Sequence, residues 1–230
     1  MAAFVLVLMA TAQTAKVGSP QYAREQGEKG NYEPLVTMLK TGAPRAKEVA
    51  AQHVSFLSFK GGVGAQVKMV TAGAIDPLVE MWATSTDDQK LGTRPKEMAA
   101  LALATFASND DATIQKKVVE AGVGAMKALV GLLLSEVASA AGKEKAASAL
   151  GLLARRDAAT QMKLAEAGAI WALVKAADAM GDATGGGVTK RVSETAKKAA
   201  MDALEVLATN DALKEKIAQA ESGTGPKEEL

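Results

Sequence analysis

The chain has 230 residues, of which 48% are hydrophobic and only 3% aromatic, with 27 Lys and Arg against 26 Asp and Glu. That apolar content, rich in Ala and Leu, is enough to bury a sizeable core of closely packed helices in one extended domain. A net charge of +1 supplies no field that would capture nucleic acid or an acidic membrane surface, and the absence of Cys excludes disulfides, thiol catalysis and cysteine metal sites.

The first apolar stretch runs from Ala2 to Ala12. No apolar run reaches the roughly 20 residues of a membrane helix, so no membrane span is expected. Small residues before Lys16 make the stretch similar to a short signal peptide, and Lys227-Glu-Glu-Leu230 is similar to the ER-retrieval tetrapeptide. Against this, no basic residue precedes Phe4, and acidic tails are common. The cytoplasm is the expected compartment, with the ER lumen as the alternative.

Two elements recur along the chain. The first is Gly30-Asn-Tyr-Glu-Pro-Leu-Val36, Gly73-Ala-Ile-Asp-Pro-Leu-Val79, Gly124-Ala-Met-Lys-Ala-Leu-Val130 and Gly168-Ala-Ile-Trp-Ala-Leu-Val174. Its Leu positions, 35, 78, 129 and 173, are 43, 51 and 44 residues apart. Three copies follow a matching stretch ending in Ala-Gly, at Gly73, Gly122 and Gly168, and the third inserts Val123-Gly124. The second element is a nine-residue Ala-Ala-x-Ala-Leu-x-x-Leu-Ala pattern starting at Ala50, Ala99, Ala146 and Ala200. Ala2 to Ala10 fits it too, so the starts are 48, 49, 47 and 54 residues apart.

Each unit reads as three helices. The stretch from Lys68 to Ala72 ends a short first helix, which Gly73 closes in the left-handed conformation. Pro77 falls in the first turn of the second helix, which carries Leu78, Val79 and Trp82. A polar loop, Thr84–Pro95, leads to a third helix from about Lys96 to Ala107, where Leu103 and Phe106 share a face. Val54 and Leu57, Leu150 and Leu153, Leu204 and Leu207, and Leu6 and Met9 are the equivalents. Polar stops such as Ser108-Asn-Asp-Asp111 and Thr209-Asn-Asp211 can cap the next first helix.

With Glu-Ala-Gly-Ala-Ile-x-x-Leu-Val at 166–174 and the Ala-Leu pattern at 146–154, the chain resembles the armadillo-repeat family. The resemblance covers about residues 2 to 220. It implies an all-α fold, a right-handed α-solenoid of three-helix repeats. The expected organisation is a single solenoid over 1–220: a partial repeat at 1–16, repeats at about 17–62, 63–111, 112–157 and 158–211, and the start of a further helix at 212–220. Residues 221–230 are a polar tail.

In that family the third helices line a concave groove, where a ladder of Trp and Asn holds extended basic peptides. The ladder falls at the third and seventh places of the nine-residue pattern. Here the third places hold Phe4, Gln52, Leu101, Ser148 and Asp202, and the seventh hold Leu8, Phe56, Thr105, Leu152 and Val206. None is Trp or Asn, so nothing at these places is set to hydrogen-bond an extended peptide backbone. The mostly apolar seventh row suits a helix or apolar segment of a partner instead. Should the register be off by one, the same residues would be core. Trp171 occupies the place of Asp76 and Glu33 in sister repeats, which suggests either an exposed interface aromatic or packing on a loop of the next repeat.

No constellation carries chemistry. Lys60-Gly-Gly-Val-Gly64 resembles a phosphate-binding loop but has Ala65 and Gln66 where Lys and Ser or Thr are needed, so it reads as a flexible turn between repeats. Gly185-Gly-Gly187 reads as a loop tip. His53 is the only His and sits inside a third helix, so a base or metal site would have to be built around it alone. The expectation is a non-enzymatic interaction or scaffold module without cofactor or metal, holding a protein partner in the groove. The alternatives are a permanent structural subunit of a large assembly and, disfavoured by the missing ladder, a peptide-cargo transport adaptor. The apolar Phe4–Met9 segment implies a contact at the N-terminal end. The loops Thr84–Pro95 and Met180–Lys190 are expected to be the most mobile parts.

Overall fold

The computed structural model describes residues 19–85, 94–135, 138–179 and 188–223. All regular elements among the described residues are helices. The chain divides into two compact units, residues 1–99 and 100–230.

The first unit opens with α1 (Pro20–Glu28), whose Ser19 hydroxyl accepts the Tyr22 N–H at 3.2 Å and whose first position is Pro20. Gly30, at φ 82°, turns the chain into α2 (Glu33–Thr41), which buries Leu35, Val36, Met38 and Leu39. The next helix, α3 (Pro44–Thr71), is broken at Gly62, with φ 60° and ψ −158°. A side chain is strained there, so glycine is what allows the corner. The break leaves a long helix over 44–61 and a short one over 63–71. The glycine-rich stretch at 60–64 does turn the chain, and a single residue makes the turn: helix runs up to Gly62 and resumes after it. Gly73, at φ 86°, closes the short helix before α4 (Ile75–Thr84). Helix α2 packs on α1, α3 and α4, and α3 also packs on α1 and α4.

Helix α5 (Arg94–Ala107) spans the boundary between the units. The second unit continues with α6 (Ala112–Glu120), α7 (Val123–Leu134), α8 (Ala140–Ala154), α9 (Ala158–Glu166), α10 (Ala169–Ala179), α11 (Val188–Ala208) and α12 (Asp211–Glu221). The extra Val123-Gly124 forms the first turn of α7, directly after Gly122 at φ 74°. The polar stops are caps. Asp111 accepts the N–H groups of Thr113 and Ile114, Asp157 that of Thr160 at 2.6 Å, and Asn210 that of Ala212. The carboxyl of Asp157 is held below the usual aspartate range, first by the backbone hydrogen bond from Thr160, then by the Thr160 hydroxyl and by the charges of Arg156 and Lys163.

The most extensive packing in this unit joins α8 to α11, two long third-type helices. Small residues let them approach. A Cβ added at Gly151 would meet the Ala203 Cβ at 3.4 Å and the Ala199 carbonyl oxygen at 3.8 Å. Helix α10 packs on α7, α11 and α12, and α9 bridges α7, α8 and α10.

One buried polar contact recurs in both units. Gln66, Gln115 and Gln161 hold the same place in three first-type helices and are all buried. Each donates its Nε2–H to a carbonyl at the end of the preceding third-type helix. Gln66 reaches Ser58 O at 3.1 Å, Gln115 reaches Ala107 O and Asn109 O at 2.7 Å each, and Gln161 reaches Ala154 O at 3.0 Å. Ser58, Ala107 and Ala154 lie in the last turn of their helices, whose carbonyls have no partner within the helix, and Asn109 lies in the turn just after one. The Oε1 of Gln161 accepts from Asn210 Nδ2 at 3.0 Å, whereas Oε1 of Gln66 and of Gln115 has no protein partner.

Gln115→Met keeps the side-chain length and removes the donor, so the buried Ala107 carbonyl and the half-buried Asn109 carbonyl lose a partner. Urea unfolding is expected to show a loss of about 1–3 kcal/mol. At Gly151, Leu should cost about 1–3 kcal/mol by overpacking, while Ala, whose Cβ just touches Ala203, should be tolerated. Thermal melts of the two variants separate these outcomes. The depressed pKa of Asp157 adds stability above the unfolded carboxyl pKa that is lost as pH falls through the folded one. Asp157→Ala should therefore destabilise the chain at neutral pH, and the difference from the parent should shrink in melts run below about pH 4.

Candidate protein-interaction face

The long part of α3, residues 44–61, has two unlike sides. Ala50, Ala51, Val54 and Leu57 are buried at 4% exposure or less. Gln52 is exposed on the opposite side, together with Phe56 at 54% and Phe59 at 77%. Residues 52, 56 and 59 recur at steps of four and three, so they share one stripe of the helix. Neighbouring residues thus have opposite fates: Leu57 is core and Phe56 is surface.

Arg45 starts the same stripe. Its Nη1 lies 2.6 Å from Glu48 Oε2, and Arg94 Nε of α5 lies 3.0 Å from Glu48 Oε1. The carboxylate is only 3% exposed, while the two arginines are 71% and 61% exposed. A buried charge needs such partners. His53 is half-buried, with Nδ1 2.7 Å from the Val49 carbonyl oxygen, a contact internal to the helix.

The other third-type helices differ. On α5, Leu101 is half-buried, but Thr105 is buried at 3% exposure. The Thr105 hydroxyl donates to Leu101 O at 2.8 Å, which satisfies it inside its own helix and lets it be covered. Thr105 is thus not a surface residue of the expected row. In the second unit Ser148 and Leu152 of α8, and Asp202 and Val206 of α11, are all half-buried. Phe4, Leu8 and the apolar N-terminal segment lie outside the described residues, as do most of the loops at 84–95 and 180–190.

Trp171 is half-buried, with Lys175 Nζ 4.8 Å from its ring centroid, and Trp82 has Lys96 over it in the same way at 5.0 Å. Each ring thus carries a lysine ammonium over one face. Sequence reasoning did not reach Phe59. It lies just beyond the nine-residue pattern, and only the three-residue step from Phe56 could have indicated it.

A shallow concavity of about 490 Å³ lies elsewhere, between the α1–α2 turn and the short helix over 63–71. It is lined in part by Asn31, Tyr32, Glu33 and Lys68, and by no residue of 44–61. Among the described residues no three His, Asp or Glu side chains group to hold a metal ion, and no helix is long and apolar enough to cross a membrane.

No protein-family model and no curated protein matches the chain. Solved structures do. Computationally designed armadillo repeat proteins for modular peptide recognition match with a TM-score of 0.62 and 26% identity, over 91% of this chain and 77% of that one. A designed armadillo repeat protein in complex with the peptide (KR)4 matches at 0.51 and 26%, over 91% and 88%. Another, YIII(Dq)4CqI, matches at 0.55 and 26%, over 84% and 71%. The glycine-closed short helices, the small-residue contact of α8 with α11 and these likenesses agree: the chain is an all-α, armadillo-repeat-like protein.

Proposed function

We propose that this protein is a non-enzymatic interaction module that holds a protein partner on the exposed side of its third-type helices. The observation that carries this reading is the stripe on α3, where Gln52, Phe56 and Phe59 face outward beside a buried Leu57. Two exposed aromatics on one rigid helix lose little conformational freedom when they become buried. The likeness to designed proteins for peptide recognition supports the same reading. Ser148, Leu152, Asp202 and Val206, half-buried on α8 and α11, are the candidate contact residues of the second unit. The (KR)4 ligand of one neighbour does not transfer, because the Trp and Asn places read here as Gln52, Phe56, Leu101, Thr105, Ser148, Leu152, Asp202 and Val206. A second reading, a subunit built permanently into an assembly, draws on Met162 and Met201, which are 45% and 54% exposed.

Burial of Phe56 against a partner would contribute roughly 1.5–3 kcal/mol. Phe56→Asp places a charge in that contact, so partner capture should fall sharply while the far-UV spectrum and melting temperature stay near the parent's. Leu57→Asp, one residue on, is expected to unfold the unit. Unfolding by Phe56→Asp with a folded Leu57→Asp would reverse the assignment of the two sides and remove the reading. A chain that is insoluble alone but soluble when co-expressed with a partner would favour the permanent subunit.

A further inference from the structure

The exposed stripe of α3 is one-sided in charge as well as apolar. Between Pro44 and Thr71 the basic residues are Arg45, Lys47, Lys60 and Lys68, and the single acid is Glu48. Glu48 is buried and shared by two exposed arginines, Arg45 and Arg94, so one guanidinium charge there is left uncompensated by it. Lys60 is exposed immediately after Phe59. A partner on this stripe therefore meets two aromatics and Gln52, with positive charge at both ends and no exposed carboxylate on α3. Arg45 to Lys60 spans about 22 Å at 1.5 Å per residue, the length of a four-turn helix.

We propose that the partner is an acidic amphipathic helix that seats its apolar side on Phe56 and Phe59 and sets Glu or Asp against Arg45, Arg94 and Lys60. This rests on the interaction-module reading and adds the chemistry of the ligand. Opposite charge at the rim steers the approach and rejects basic partners, and the aromatics supply the burial. A membrane surface fits less well, because anionic lipid is held by clusters of about 4–8 basic residues and this stripe carries three.

The test is a fluorescence-polarisation titration of the full chain with two labelled peptides of about 20 residues. Both carry Leu at helical i, i+3, i+4 and i+7 spacing; one has Glu at the remaining places and the other Lys. The acidic peptide should bind at least about tenfold more tightly, and the preference should shrink with added salt. Phe59→Ser and Lys60→Glu should each weaken it about tenfold, while Phe59→Leu, which keeps the apolar contact, should retain most of the binding. Circular dichroism confirms that the variants are folded. Equal or tighter binding of the Lys peptide, still lost in Phe56→Asp, overturns the acidic partner and leaves the α3 face as the binding site. Binding of neither peptide and of no phosphatidylserine vesicle, or binding insensitive to Phe56 and Phe59, overturns the proposal and takes the α3 face with it. Sedimentation with phosphatidylserine vesicles that depends on Phe59, with both peptides inert, overturns it in favour of a lipid surface.

Discussion

The corner between a third-type helix and the next first-type helix is where the repeat is hardest to build. The long helix must stop, the chain must turn, and the carbonyls of the last turn must find donors although they are buried. A glutamine on the short helix answers this three times. Gln66, Gln115 and Gln161 each reach back to the end of the preceding helix with Nε2. Because the donor belongs to the following helix, the hydrogen bond also fixes the angle at which that helix leaves. Glycine provides the other half of the repeat. Gly30, Gly73, Gly122 and Gly168 all have positive φ, and each closes a short helix before the second-type helix begins.

With the corners set, the long helices can be packed by small residues. In the second unit the contact of Gly151 with Ala199 and Ala203 brings α8 and α11 together. Such close packing consumes the sides of a helix and leaves only a narrow stripe accessible. Ser148, Leu152, Asp202 and Val206 on these two helices are half-buried. In the first unit α3 keeps a wider exposed side, and large residues occupy it. The aromatic content is only 3%, so the placement of Phe56 and Phe59 on that side, rather than in the core, is a departure from the economy of the rest of the chain.

Among the ion pairs of the described residues, Glu48 stands apart from the other carboxylates because its side chain is buried. Glu48 lies beyond the first turn of α3, so its charge is held by side-chain partners and not by the helix end. Burial would make it costly without partners, and Arg45 and Arg94 supply them from the outside. The pair of arginines therefore ties α3 to the start of α5 and at the same time presents a basic edge to solvent.

How much of this was legible in the residues follows from what periodicity can encode. The glycine break, the Leu-Val start of each second helix and the Val54/Leu57, Leu103/Phe106 and Leu150/Leu153 pairs determined an all-α repeat fold, because burial on one face of a helix imposes spacings of three and four that survive in the sequence. The same spacing separated Phe56 from Leu57. What only the tertiary structure decided is which non-core positions remain open. Thr105 and Phe56 hold the same place in their patterns, yet one is 3% exposed and the other 54%. The glutamine hooks were equally invisible. A Gln in a short helix reads as a polar surface residue until the carbonyls it meets, seven or eight residues back along the chain, are brought into its reach by the turn.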